Sequence, residues 1–279
     1  MSLKWGAEEQ YEPMQQIHSI SIRDQIKRAS RCLQQQTADV LADMYQADKL
    51  YGTESERPAA IDKVLRISIE QGAAMHRLMR SNSVKRSLEI GLANGFSTVW
   101  MLDALCKRRN ALHIAIDPYQ KILFHGVGLA QVNRLVPGAR FEWMETFSIH
   151  ALSDLIRKNE SFDFIFIDGN HRFDDVMADF YLSHQLLRNW GLIAFDDLCM
   201  PAVRTATNFI LNNRSYAIVE QPVENMLVLR KMGYDRRDWQ HFNGFHVDWP
   251  PEKAEYRPPH PSVSLRGVIW LQNRLRRMF

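Results

Sequence analysis

The chain has 279 residues, 46% hydrophobic and 24% charged, which suits one large α/β domain with extensions. A net charge of +3 is too mild to point to nucleic acid. Cys32, Cys106 and Cys199 lack the spacing of a zinc site or a disulfide framework and suggest a reducing cytoplasm, and neither a signal-peptide core nor a transmembrane run is present.

In chain order, residues 1–33 are polar and weakly patterned, an arm with some helix. Residues 38–51 and 59–80 carry apolar side chains at helical spacing, among them Ile61, Val64, Leu65, Ile69, Met75 and Leu78. These two helices serve as a lid, a dimer surface or a cover for the sheet. The α/β core begins near Val84. Strands are expected at 87–90, 112–116, 141–144, 164–167 and 192–195, and helices at 98–107, 128–135, 149–158 and 174–188. Such alternation predicts a doubly wound, mostly parallel α/β sheet. A helix at 202–212 follows, then two strands at 216–219 and 226–230 whose short link permits an antiparallel hairpin. From Met232 the chain is rich in aromatics, proline and charge and reads as an irregular strap. Trp239, Phe242, Phe245 and Trp249 could either close over an acceptor or cover the core. Residues 264–279 form a candidate basic amphipathic helix, docking on the body or a second subunit, or lying on a membrane surface. The organisation is an N-terminal helical arm or lid at 1–80, a core at 81–231 and a C-terminal strap with its basic helix at 232–279.

Two apolar runs end in acid. FDFIFI is followed by Asp168, and LIAF by Asp196 and Asp197. As neighbouring parallel strands they set three carboxylates at the carboxyl edge of the sheet, where open α/β sheets bind ligands. Clustered carboxylates repel one another unless a cation neutralises them, and His171 lies beside them. A hard divalent metal on Asp168, Asp196 and Asp197, with His171 as general base, is the sharp reading. Mg²⁺ is favoured over zinc because nothing soft is offered, and Mn²⁺ or Ca²⁺ could substitute. The plainer readings make Asp168 a turn residue before Gly169 and Asp196 and Asp197 helix caps. His171 would then orient a ligand carboxylate.

The segment LEIGLANGFST, residues 88–98, joins the first core strand to its helix. Gly91 and Gly95 permit a tight turn and close approach to a ligand. Their G-x-x-x-G spacing matches neither the dinucleotide fingerprint nor the P-loop. Glu89 suits a ligand with an ammonium group better than one with phosphates. Asn94 and Ser97 lie in the same loop and are assigned to the cofactor, and Ser97 or Thr98 can cap the helix. Asp117 ends the second strand, placed either for both hydroxyls of a ribose or to cap the turn at Pro118. Amino acid at one end and nucleoside at the other describes S-adenosylmethionine. His125 and His150 lie in loops near the site and read most simply as solvated.

The motifs EIGLANGFST, AIDPYQ, FIFIDGNH and IAFDD, in that order, make residues 61–230 resemble a class I S-adenosylmethionine-dependent methyltransferase. The chain is similar to the small-molecule O-methyltransferase group that includes macrolide-sugar and cephamycin-pathway enzymes. The resemblance implies a Rossmann-like seven-stranded sheet with its last strand antiparallel. It sets Glu89, Gly91 and Gly95 around the methionine part of the cofactor, Asp117 on the ribose, and Asp168, Asp196 and Asp197 on the metal. Asp168 and His171 match the DxxH motif that supplies a base in the sugar enzymes, while Asn170 departs from the Asp of many relatives. The expected activity is metal-assisted O-methylation of a small hydroxylated metabolite or sugar. A metal-independent N- or O-methyltransferase and a non-catalytic S-adenosylmethionine binder stay open. A small-molecule acceptor and a homo-oligomer are the expected partners.

Overall fold

The computed structural model describes residues 20–53, 59–60, 65–135, 140–219, 223 and 225–244. Helix α1 (Ile22–Ala29) is capped by Ser21, whose hydroxyl accepts from Asp24 N, and α2 (Gln35–Gln46) follows. The expected helix 38–51 therefore stops early. Lys49–Leu50 (β1) instead pairs antiparallel with Ala59–Ala60 (β2). The helix expected from 59 begins only at α3 (Ile69–Ser81). A capping box sets that start. Ser68 Oγ accepts from Gln71 N at 3.1 Å, and Gln71 Oε1 accepts from Ser68 N at 2.7 Å. Apolar periodicity alone runs through such a stop. Ile61 and Val64 lie outside the described residues.

The core strands are β3 (Arg86–Ile90), β4 (Leu112–Ile116), β5 (Arg140–Met144), β6 (Phe162–Ile167), β7 (Leu187–Phe195), β8 (Tyr216–Ile218) and β9 (Leu227–Lys231). They form one seven-stranded sheet in the order β5-β4-β3-β6-β7-β9-β8. Strands β5 to β7 are mutually parallel, and β9 alone runs antiparallel between β7 and β8. Helices α4 (Phe96–Leu105), α5 (Val127–Asn133), α6 (Ser148–Arg157), α7 (Phe173–Leu186) and α8 (Pro201–Asn213) complete the fold. Side chains alternate between two cores, as strand geometry requires. Phe164, Phe166 and Ala194 join residues of α2, α3 and α4, whereas Ile165, Ile167, Ile193 and Phe195 join residues of α6, α7 and α8. A buried polar tie holds the N-terminal helices to the first layer. His76 Nε2 lies 2.8 Å from Asp103 Oδ2, and His76 Nδ1 lies 2.9 Å from Ser30 Oγ. From β3 the chain builds outward through β4 and β5, then returns to lay β6 on the other side of β3. This reversal opens the crevice at the carboxyl ends of β3 and β6.

Topology also corrects the strap. Strand β9 starts opposite Phe195, at the carboxyl tip of β7, and ends beside Leu192. It therefore delivers the following residues to the amino edge. There Asn243 N donates to Asn213 Oδ1 at 2.7 Å and Asn243 Nδ2 donates to Asn212 O at 2.9 Å, at the last turn of α8. Phe242 meets Phe209, and Trp239 is 91% exposed. Neither Trp239 nor Phe242 can close over a ligand at the acidic tips. Phe245, Trp249 and residues 264–279 lie outside the described residues.

Asp179 in α7 carries a cost of burial. Burial pushes its carboxyl up from about 3.8 to about 6; a hydrogen bond from Ser148 opposes this and the charge of Asp175 adds to it. Because the folded state holds the proton more tightly than the unfolded state, the stabilisation is complete below pH 3.8 and lost as pH rises through 6. Asp179→Asn should therefore stabilise the fold by about 3 kcal/mol at pH 7 and by little at pH 4. Urea unfolding at the two pH values checks this, and equal gains at both would refute it.

Candidate functional site

Gly91 has φ +99° and donates from its N–H to Ile116 O at 2.9 Å. A Cβ at this position would overlap the Asp168 carbonyl oxygen, so only glycine lets the loop after β3 cross against the tip of β6. Gly95, at φ +84°, is itself the N-cap of α4. No side chain caps this helix, contrary to the expectation for Ser97 or Thr98. Thr98 Oγ1 turns inward and donates to Glu89 Oε2 at 2.5 Å. Asn94 and Ser97 are buried in the same loop. Glu89 is wholly buried, and its second oxygen, Oε1, has no hydrogen-bond partner.

Asp117 ties the tip of β4 to this loop. Its Oδ2 accepts from Ala93 N (2.8 Å), Leu92 N (3.2 Å) and Gln120 Nε2 (3.1 Å), and its Oδ1 accepts from Tyr119 N (2.7 Å). Four donors nearly saturate a carboxylate. The turn-capping role is thus present; three donors fill Oδ2, whereas Oδ1 has one and keeps capacity for another.

The acids gather as the strand pairing requires. Asp168 N donates to Ile90 O at 3.0 Å and Asp196 N donates to Ile167 O at 3.2 Å, so both tips extend the ladder by one step. His171 Nε2 lies 3.0 Å from Asp197 Oδ2 and 3.5 Å from Asp168 Oδ1, though aligned as a hydrogen bond to neither. One donor atom each from Asp168, His171 and Asp197 falls within 4.8 Å of the others. Asp196 is not in this set, and Gln71 Nε2 donates to its Oδ1 at 2.5 Å. Burial pushes Asp168 up to about 6, against the pull of His171. Burial, then the charge of Asp168, pushes Asp196 up to about 7. Burial alone would lower His171, but Asp168 and Asp197 outweigh it and raise the imidazole to about 10. Carboxylates drawn toward protonation mark a site short of positive charge. Two carboxylates and an imidazole within that span fit one divalent cation. Cys199 is exposed and adds no soft ligand to this set.

Residues 88–198 match the model of a family described as a methyltransferase domain. The matched stretch runs from β3 to just past β7 and contains the glycine loop, Asp117 and the whole acidic cluster. Over this stretch the sheet core is similar to a methyltransferase domain. A curated relative, caffeoyl-CoA O-methyltransferase 2 of Zea mays, is 27% identical over 138 residues, covering 47% of this chain. The chain thus spans about half of the relative's length, 48%. Among solved structures, the O-methyltransferase TomG of Streptomyces achromogenes aligns with a TM-score of 0.54 at 16% identity, over 72% of this chain and 91% of that one. The Podospora anserina methyltransferase PaMTH1 aligns with a TM-score of 0.57 at 17% identity, over 74% and 92%. At such identities these two likenesses are of fold.

The site uses side chains that the motifs did not reveal. Asn225, just before β9, donates from Nδ2 to Asp197 Oδ1 at 2.8 Å while its Oδ1 accepts from Cys199 N at 2.5 Å. This clamp holds Asp197 at φ +58°. Gln71 was within reach, since Ser68-x-x-Gln71 is a readable capping box, but its second bond to Asp196 spans 125 residues. Asn170 is bonded to Asp175 at 2.5 Å. His125 and His150 are both exposed, in keeping with the solvated reading.

Proposed function

We propose that the methyltransferase domain transfers the methyl group of S-adenosylmethionine to a hydroxyl oxygen of a small metabolite or sugar, assisted by a divalent cation such as Mg²⁺. The convergence of Asp168, His171 and Asp197 beside the glycine loop carries this reading. Glu89, Gly91, Asn94, Gly95, Ser97 and Asp117 would hold the cofactor. Asp168 and Asp197 would hold the cation, with Asp196 completing the set once released from Gln71. The name of the maize relative supports oxygen as the acceptor atom.

A bound divalent cation would make the acceptor hydroxyl more acidic and fix its position. His171 would take the hydroxyl proton at Nε2. For this the imidazole must first be neutral, which requires another positive charge to relieve Asp168 and Asp197. The oxygen would then meet the methyl group in line, with alignment of two bound reactants providing much of the acceleration.

One observation favours a second reading. His171 already lies between the two carboxylates, which raise its imidazole, and when protonated it could replace the metal, leaving a metal-independent transferase. Calorimetric titration of Mg²⁺ into the cofactor-loaded protein, with turnover in EDTA, separates the two. The first reading expects wild-type binding that Asp168→Asn loses and activity that EDTA abolishes. Undiminished activity in EDTA would overturn it. Cytoplasmic residence and a homo-oligomer belong to the same proposal. The described cysteines are all free, and no helix among the described residues is long and apolar enough to cross a membrane.

A further inference from the structure

Beneath the cofactor loop lies a continuous buried polar chain that none of the motifs announced. Ser87 and Glu89 share one face of β3, since side chains two apart on a strand point the same way. His113 of β4 is paired with Ser87 in register. Its Nδ1 lies 2.8 Å from Ser87 Oγ and its Nε2 3.2 Å from Glu89 Oε2. Thr98 Oγ1 reaches the same Glu89 oxygen from α4 at 2.5 Å. Ser87, Glu89 and His113 are each wholly buried, as is Thr98. Phe141 stacks on the imidazole at 5.9 Å between ring centres.

The hydrogen bonds set a direction through this chain. With the Ser87 hydroxyl donating to Nδ1, Nε2 of the ring is the donor to Glu89. Glu89 Oε2 then has two donors, from different elements, and its rotation is fixed. Oε1 is left with none. A buried carboxylate oxygen without a partner is costly, and such atoms are rare in folded proteins. The arrangement is physically sensible if a ligand supplies the missing donor and the protein keeps the oxygen free for it.

We propose that His113, oriented by Ser87, is a positioning residue that locks Glu89 with Oε1 reserved for the ammonium group of the cofactor. This rests on the S-adenosylmethionine reading above and deepens it. His113 touches neither cofactor nor acceptor. It acts through Glu89, so its influence is confined to the amino-acid end of the ligand. A general packing role would instead weaken every ligand of the crevice.

The experiment compares two probes on the intact protein by calorimetry. S-adenosylhomocysteine carries the ammonium group, whereas 5′-methylthioadenosine lacks the whole amino-acid end. For His113→Leu, which keeps bulk and removes the donor, affinity for S-adenosylhomocysteine should fall about tenfold, with 5′-methylthioadenosine within about twofold. His113→Gln, whose amide can still donate to Glu89, should recover most of the loss. Should His113→Leu fail to fold, Ser87→Ala gives the same contrast at smaller amplitude. Equal losses for both probes, or no loss for either, would overturn the role of His113. If the wild type bound neither probe, the cofactor reading itself would fall, a distinct result visible before any variant is made.

Discussion

Replacing His171 with glutamine is expected to lower kcat by about 10²–10⁴-fold, the usual contribution of a positioned base, with little change in KM for cofactor or acceptor. Glutamine keeps a polar group near Asp168 and Asp197 but cannot accept a proton. The ambiguity that makes this variant informative is geometric. Nε2 lies close enough to both carboxylates to be either the base beside a cation or one of its ligands. The base reading expects calorimetric Mg²⁺ affinity to stay within a few-fold of wild type, with a lost rate that added Mg²⁺ does not restore. A ligand role predicts the reverse, a large fall in affinity and recovery of turnover at high Mg²⁺. Unchanged kcat together with unchanged Mg²⁺ affinity would remove His171 from both roles.

The parts of this molecule that were readable in the sequence are those in which cause and consequence lie close along the chain. Strand β4 occupies the predicted residues because it is a short apolar run buried along its whole length. The acids at the tips of β6 and β7 were legible because each directly follows its strand. Strand β7 was foreseen only from Leu192, whereas it begins at Leu187. Its first half carries Arg188 and Asn189, and its pairing with β6 shifts register between Phe162 and Phe164, so no clean apolar pattern marks it. The finer structure of the site depends on residues far apart in sequence. Gln71 holds Asp196, Asn225 holds Asp197 and His113 holds Glu89. Each of these is a polar residue in a segment whose local pattern speaks of packing or turns. Their roles exist only once the sheet order brings them together. The helix cap at Gly95 was missed for a related reason. Thr98 had a stronger local claim as a cap, and a buried carboxylate outbid it.

Gly91→Ala should damage the cofactor and metal sites together. At φ +99° an alanine is strained by about 1–3 kcal/mol before any contact is considered. Its methyl group would also overlap the carbonyl oxygen of Asp168, a backbone atom of a residue whose N–H is bonded to Ile90 O, which cannot swing aside as a side chain would. Relief requires the loop and the tip of β6 to separate, which moves Asp168 away from Asp197 and the loop away from the ligand it would hold. Gly95→Ala is the comparison. It shares a positive φ, but its closest clash is with Gly128, at 3.1 Å, on the side of α5 and away from the acids. Calorimetry should therefore show Gly91→Ala losing at least tenfold in affinity for both S-adenosylhomocysteine and Mg²⁺, whereas Gly95→Ala loses chiefly the former. A folded Gly91→Ala protein that binds Mg²⁺ as the wild type does would show that the two sites are mechanically independent. The close passage of the loop over Asp168 would then be a packing solution with no bearing on the metal.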